Sequence, residues 1–343
     1  MPIRYPAPLV PGDTIAVTSP SSGVTDGERA RLEFAIAGLR DRGFNIVVGS
    51  CMDGTRHVSA PARERARELQ MFLTDPGVRA VVPPWGGVTA IDLLPLLDWE
   101  VIGEAEPTWF VGFSDISTLL TPLTLLTGVA TVHGNNLMDT PYRAPDGLFG
   151  WEDITALSEG ASFTQTPPGR FRAIGWDNYL TQPEVDEMTL DTPGTWSRFD
   201  EGPEDVDVTG RLIGGCIDTL CNVAGTPYGD VPTFVDQHAP EGLIVYVEAS
   251  SKDALTTCRA LHGMRLAGFF DRANAVLIGR TRAPDTEYMT QREAVLDALG
   301  GLGVPLIGDV ECGHVQPFMP IVNGALGRVR MTRSIRSLTQ TLA

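Results

Sequence analysis

Between residues 14 and about 132 the chain alternates short apolar, β-prone runs with helix-compatible segments, and this alternation constrains the fold more than any other feature. Thr14–Thr18 reads as a buried strand, Asp26–Arg42 as an amphipathic helix and Phe44–Val48 as a second strand. Ala60–Leu73 follows as a helix rich in Arg and Glu, Val78–Val82 as a third strand and Thr89–Leu97 as a short helix. A strand at Trp109, a helix from Ile116 to Leu126 and a strand at Val129–Val132 complete the series. Such alternation over short connections implies a parallel sheet with helices on both faces. Ligands bind such sheets outside the carboxyl ends of the strands.

The pattern then breaks. From about Ser162 to Glu204, Pro167-Pro168-Gly169, Pro183, Pro193-Gly194 and Gly202-Pro203 punctuate a polar stretch with few periodic apolar positions. We expect an N-terminal domain over 1–160, a connector with a lid or recognition loop over 161–205, and a C-terminal α/β domain over 206–343. In the last of these, Val208–Gly214, Gly242–Glu248, Ala275–Gly279 and Pro305–Gly308 read as strands, and Gly327–Met331 as an edge strand. Ile217–Val223, Asp253–Ala267 and Thr286–Leu299 read as helices.

Composition narrows the class. A chain of 343 residues, 43% hydrophobic and 20% charged, is long enough for two cored domains. A net charge of −17 argues against a nucleic-acid scaffold, which needs a basic surface, but leaves room for one small anionic ligand. No apolar run is long enough to span a bilayer, and Met1–Pro6 lacks the apolar core of a signal peptide, so a cytoplasmic location is expected. The five cysteines form no C-x-x-C pair and read as free thiols. Cys312 and His314 lie close together, but no second ligand pair has metal-site spacing, so neither metal nor cofactor is expected. Lys252 is the only lysine beside 25 arginines (26 basic residues in all), which points to a role suited to a compact ammonium.

The chemistry concentrates at Trp109-Phe110-Val111-Gly112-Phe113-Ser114-Asp115, where a strand stops at a serine and a helix begins. That is the layout of a nucleophile elbow, which exposes the hydroxyl beside the N–H groups of a helix N-terminus. The run G-F-S-D-I lacks the last glycine of G-x-S-x-G, and a serine here can equally cap the helix. A nucleophile needs a base: His314 lies just past the Pro305 strand, with His133 as its rival. Glu248 ends an apolar strand, where a lone buried carboxylate would be costly, so it either orients the histidine or pairs locally with Lys252. Asp115 supplies one natural oxyanion N–H, and Gly87 or its neighbour in Pro84-Trp85-Gly86-Gly87 the second. In the connector, Trp176 and Trp196 are packing anchors or ligand platforms.

Taken together the segments resemble the LD-carboxypeptidase family, which includes the microcin C self-immunity peptidases. The resemblance runs over nearly the whole chain. It is carried by Leu9–Asp13, Ser19-Pro20-Ser21, the Arg63–Leu73 helix before Asp75-Pro76, Trp85-Gly86-Gly87, Leu94–Asp98, Gly112–Asp115 and His133-Gly134. Gly210–Gly215, Gly225-Thr226, Glu248 and Gly313-His314 continue it. The resemblance implies a flavodoxin-like N-terminal domain joined to a smaller α/β domain, a homodimer, and a site between the domains. It also implies a triad of Ser114 as nucleophile, His314 as base and acid, and Glu248 as orienting carboxylate.

Three positions depart from the family pattern. Pro84-Trp85 precede the glycine pair, Asn135 follows His133-Gly134 where Pro is usual, and Cys216 follows Gly214-Gly215 where Asn is usual. Lys252, Trp176 and Trp196 resemble the immunity-type branch, in which the lysine contacts substrate and connector aromatics stack on a nucleobase. With Trp85 and Cys216 they form the expected substrate-binding set. The expected reaction is hydrolysis of the amide or acyl-phosphoramidate bond of a peptidyl- or aminoacyl-nucleotide. The alternative is release of D-alanine from murein tetrapeptides.

Overall fold

The computed structural model describes residues 2–203 and 205–343. In chain order its strands are β1 Thr14–Val17, β2 Asn45–Val48, β3 Ala80–Val81, β4 Trp109–Gly112, β5 Thr131–His133, β6 Ser162–Gln165, β7 Arg170–Phe171 and β8 Thr192–Pro193. They continue as β9 Ser197–Arg198, β10 Val206–Cys216, β11 Leu243–Glu248, β12 Ala273–Gly279, β13 Leu306–Val310, β14 Ile321–Asn323, β15 Leu326–Met331 and β16 Arg336–Thr341.

The first sheet has the order β14-β5-β4-β3-β1-β2. Its five N-terminal strands are all parallel and run 2-1-3-4-5, the flavodoxin-like order, with the switch point between β1 and β3. The loops after β1, β3 and β4 therefore converge on one edge. These strands are short, and β3, β4 and β5 are wholly buried, as a sheet covered on both faces requires. Two features extend the sequence reading. Thr89–Leu97 forms a 3-10 turn (Ala90–Leu96) and not an α-helix, because Pro95 withholds a backbone donor. An unforeseen helix, Trp99–Glu104, starts beside it, capped by the Asp98 carboxylate on the Val101 N–H.

The second sheet runs β6-β16-β15-β10-β11-β12-β13-β9, with β10 to β13 parallel. It takes strands from both ends of the expected connector, since β6 pairs with β16 and β9 with β13. Conversely β14 leaves the C-terminal half and pairs antiparallel with β5 of the first sheet. β15 is not an edge strand: it lies between β10 and β16. Its outward Arg328 and Arg330 suggest an edge, but β16 covers it. The architecture is mixed α/β, in two domains. Among the described residues no helix is long and apolar enough to cross a membrane.

Helix Ser117–Thr127 joins the two sheets. It is buried almost throughout and ends at Gly128 with φ +66°. Its Thr121 hydroxyl donates to the Gly214 carbonyl of β10 at 2.7 Å, and its Ser117 hydroxyl accepts the Cys216 N–H at 3.2 Å. The end of β10 is thereby fixed against the helix that follows Ser114.

Candidate active site

β4 delivers the chain into an extended Phe113 and then into Ser114, whose φ is +62°. Among the described residues only Ser114 and Asp309 combine a side chain with a positive φ. Such a conformation costs about 1–3 kcal/mol and persists where the surroundings over-determine it. Here the surroundings are a knot made by the next residue. The buried Asp115 carboxylate accepts from the Ser21 hydroxyl at 2.6 Å and the Ala90 N–H at 2.8 Å, tying together the loops after β1, β3 and β4. The sequence reading used only the backbone N–H of Asp115; its side chain is the larger structural contribution. Gly86 lies against the serine so closely that a Cβ would sit 2.8 Å from Ser114 Cβ and 2.9 Å from its Oγ. At Gly87 (φ +151°) a Cβ would instead strike the Ser21 and Ser22 hydroxyls.

The Ser114 hydroxyl does not cap the helix. It lies 3.0 Å from His314 Nε2, and His314 Nδ1 lies 2.8 Å from Glu248 Oε2. Glu248 is fully buried at the end of β11, one strand from Cys216 in register. His314 reaches it because Gly313 has φ +102° and no side chain; a Cβ there would lie 2.5 Å from Glu248 Oε2. The local Glu248–Lys252 pair allowed by the spacing is not made, because Glu248 is committed to His314.

Burial opposes both charges, pushing the Glu248 carboxyl up and the His314 imidazole down. Their attraction and hydrogen bond outweigh it, so Glu248 titrates below its ordinary value and His314 above its own, with Asp218 and Asp139 adding to the latter. His133, the rival base, is buried with its Nδ1 3.4 Å from the Ser117 hydroxyl, and burial pushes it down to about 4 despite the pull of Glu248. It stays neutral and its ring packs on Phe113 and Tyr246, not on Ser114. Cys216, Glu248 and His314 hold donor atoms within 4.8 Å of one another, a spacing that would admit a metal ion. However, both ring nitrogens of His314 are engaged, Nδ1 by Glu248 and Nε2 by the Ser114 hydroxyl.

Two cavities meet at Ser114. The larger, about 710 Å³, is lined by Trp85, Trp176, Tyr179 and Leu180, with Asn136, Asp139 and His314. Trp85 and Tyr179 are stacked at 5.9 Å, and the Arg282 guanidinium covers the half-exposed Trp176 at 4.5 Å. Tyr179 is held from below: its hydroxyl donates to Asp139 at 2.8 Å, and buried Arg31 lies 4.3 Å from its ring while bonding the Pro183 and Val185 carbonyls. Burial pushes the Asp139 carboxyl up to about 6 against that hydrogen bond and Arg31. The smaller cavity, about 360 Å³, is lined by Gly87, Asp115, Cys216, Asp218 and Lys252. Asp218 there accepts the backbone N–H groups of Ser250, Ser251 and Lys252.

Trp196 corrects the sequence reading. It is 1% exposed and donates its indole N–H to Glu311, because β9 beside it pairs with β13 and carries the ring into the core. It lines neither cavity. Tyr179, Asp139 and Asp218 were not anticipated; no local motif marks them.

The arrangement has the parts of nucleophilic acyl transfer: a half-buried hydroxyl on a strained backbone at the cavity walls, an imidazole on it, and a carboxylate behind. Residues 15–134 match the LD-carboxypeptidase N-terminal domain, and residues 209–329 the LD-carboxypeptidase C-terminal domain. The chain is 26% identical to the microcin C7 self-immunity protein MccF of Escherichia coli, over 93% of this chain and 90% of that one. It is 25% identical to the murein tetrapeptide carboxypeptidase of Pseudomonas aeruginosa, over 88% and 87%. The solved structure of MccF in complex with aspartyl sulfamoyl adenosine matches with a TM-score of 0.78 at 23% identity, covering 98% of each chain. With both domains matched, the chain belongs to the LD-carboxypeptidase family of serine hydrolases.

Proposed function

We propose that this protein hydrolyses the amide or acyl-phosphoramidate bond of an aminoacyl- or peptidyl-nucleotide, as a self-immunity or detoxification enzyme. The observation that carries the reading is the pair of unlike cavities meeting at Ser114, one wide and aromatic, the other small and without aromatic rings, holding the only lysine. A nucleoside suits the first, where Trp176 and the Trp85–Tyr179 stack offer ring faces. An acidic acyl side chain suits the second, beside Lys252, with Cys216 shaping its wall. MccF, a relative, has been solved with aspartyl sulfamoyl adenosine and with glutamyl sulfamoyl guanosine, which supports this assignment.

In this mechanism Ser114 Oγ attacks the carbonyl carbon while His314 Nε2 takes its proton. Glu248 holds the other ring nitrogen and stabilises the imidazolium. The Asp115 and Gly87 N–H groups stabilise the oxyanion. His314 returns the proton to the leaving nitrogen, and water, activated by the same imidazole, releases the acyl group from Ser114. The protein is taken to act in the cytoplasm as a homodimer; light scattering of the purified protein checks the latter.

The test is cleavage read by mass spectrometry, with aspartyl or glutamyl sulfamoyl-adenosine and a murein L,D-tetrapeptide offered in parallel. Cleavage of the nucleotide analogue alone is expected. Release of D-alanine alone would overturn the reading in favour of cell-wall recycling, the activity for which the Pseudomonas relative is named. Two variants refine the assignment. Trp176→Ala should raise KM for the nucleotide substrate about tenfold, within the usual worth of base stacking, and change kcat less. Gly86→Ala should lower kcat about 100-fold or more and lower Tm as well, because its methyl would press on Ser114 Cβ and the Asp115 N and displace the strained turn.

A further inference from the structure

A second cluster of reactive side chains lies outside the active site, between helices Ala254–Leu266 and Gln291–Leu299. Cys258 and His262 stand one turn apart on one face of the first helix, and Asp297 faces them from the second. His262 Nε2 lies 2.7 Å from Asp297 Oδ1, and Cys258 Sγ 3.4 Å from the same oxygen. The three donor atoms all fall within 4.8 Å of one another. The side chains of His262 and Asp297 are 45% and 55% exposed, whereas Cys258 is buried, so the cluster is open on one side only.

We propose that Cys258, His262 and Asp297 form a zinc-binding site that ties these two helices together. A thiolate, an imidazole and a carboxylate are the donors Zn²⁺ prefers, and three protein ligands with a water in the fourth position complete a tetrahedron. Zinc–ligand bonds of about 2.0–2.3 Å set the ligand atoms roughly 3.3–3.7 Å apart. The Cys258–Asp297 separation already fits, and the His262–Asp297 pair has only to open by less than about 1 Å. Binding exchanges the Cys258 S–H bond for an S–Zn bond and releases that proton to solvent. His262 coordinates through its neutral Nε2, with its proton on Nδ1. An exposed His–Asp pair alone contributes little to stability. A buried thiol aimed at the same oxygen is the added element that makes the cluster a donor set. The residues are separate from the triad and from both cavities, and the inference does not depend on the proposed function.

Cobalt substitution tests it on the full-length protein, freed of metal by chelation. Wild-type protein titrated with Co²⁺ is expected to show a thiolate-to-cobalt charge-transfer band and intense tetrahedral ligand-field bands, both displaced by Zn²⁺. Cys258→Ser should abolish the charge-transfer band and leave hydrolysis unchanged. His262→Ala should weaken binding tenfold or more, which keeps the test decisive if the serine variant misfolds. Zinc should raise the Tm of wild type by several degrees and that of Cys258→Ser not at all. Absence of a thiolate band at saturating Co²⁺ would overturn the proposal. So would an unchanged band in Cys258→Ser, which would move the ion to another thiol such as Cys216.

Discussion

Replacing Ser114 by alanine is expected to lower kcat by about 10⁵-fold or more while leaving the fold and the affinity for substrate intact. The hydroxyl is the attacking group, and its 3.0 Å contact to His314 Nε2 provides the route for its proton. Alanine keeps the Cβ that the strained φ of +62° already tolerates, so Tm should shift little. Residual turnover would come from the oxyanion donors and the two cavities alone. The capping alternative predicts the opposite: a Ser→Ala change at a true cap costs about 1 kcal/mol of stability and leaves turnover alone. Steady-state kinetics and a thermal melt on one preparation separate the two. A variant with wild-type rate would remove Ser114 from the mechanism.

Glu248→Gln should produce the second largest loss, about 10⁴-fold in kcat, because the amide no longer fixes the imidazole tautomer or balances its charge. It also carries a pH signature. His314 must be neutral to accept the serine proton, so kcat/KM rises with pH through the histidine's titration. In the wild type Glu248 raises that titration above the ordinary value of 6.5, and the acid limb lies there. Without the carboxylate, burial becomes the dominant influence and the limb moves to lower pH. Stability follows the same pair. The His314 contribution is full below pH 6.5 and is lost as pH rises through its elevated pKa. The Glu248 contribution is full above pH 4.5 and is lost as pH falls through its lowered one. The pair therefore stabilises most between about pH 4.5 and 6.5, so the variant should lower Tm in that window and lessen the wild-type fall of Tm above and below it. An acid limb that stays in place in Glu248→Gln would show that another group sets it.

The parts of this protein that sequence reveals are those whose signal is local. Ser114, Glu248 and His314 each follow a strongly apolar strand, and a polar side chain at a strand's carboxyl end is visible without knowing its partners. Their meeting is a property of two sheets whose loops face each other, which no spacing along the chain encodes. β16 was missed because Arg-Ser-Leu-Thr-Gln-Thr carries one large apolar residue, and its absence turned β15 into an apparent edge. Trp176 and Trp196 share one connector and similar neighbours in sequence. Only the pairing of β9 with β13 sends one indole inward and leaves the other at the cavity. Likewise the sequence reading passed over Cys258 and His262, four residues apart, because Asp297 arrives from a helix 35 residues after His262.

The return of β14 to the first sheet has a consequence for how the protein must be made. The edge of β5 facing β14 carries backbone donors and acceptors that stay unpaired until Ile321–Asn323 arrives. During synthesis at about 5–20 residues per second, the roughly 190 residues that separate His133 from Asn323 leave that edge bare for some 10–40 s. The last fifteenth of the chain thus closes the sheet that the first third began, and a ribosome that stalls before it releases a chain prone to pair edge to edge with its own copies.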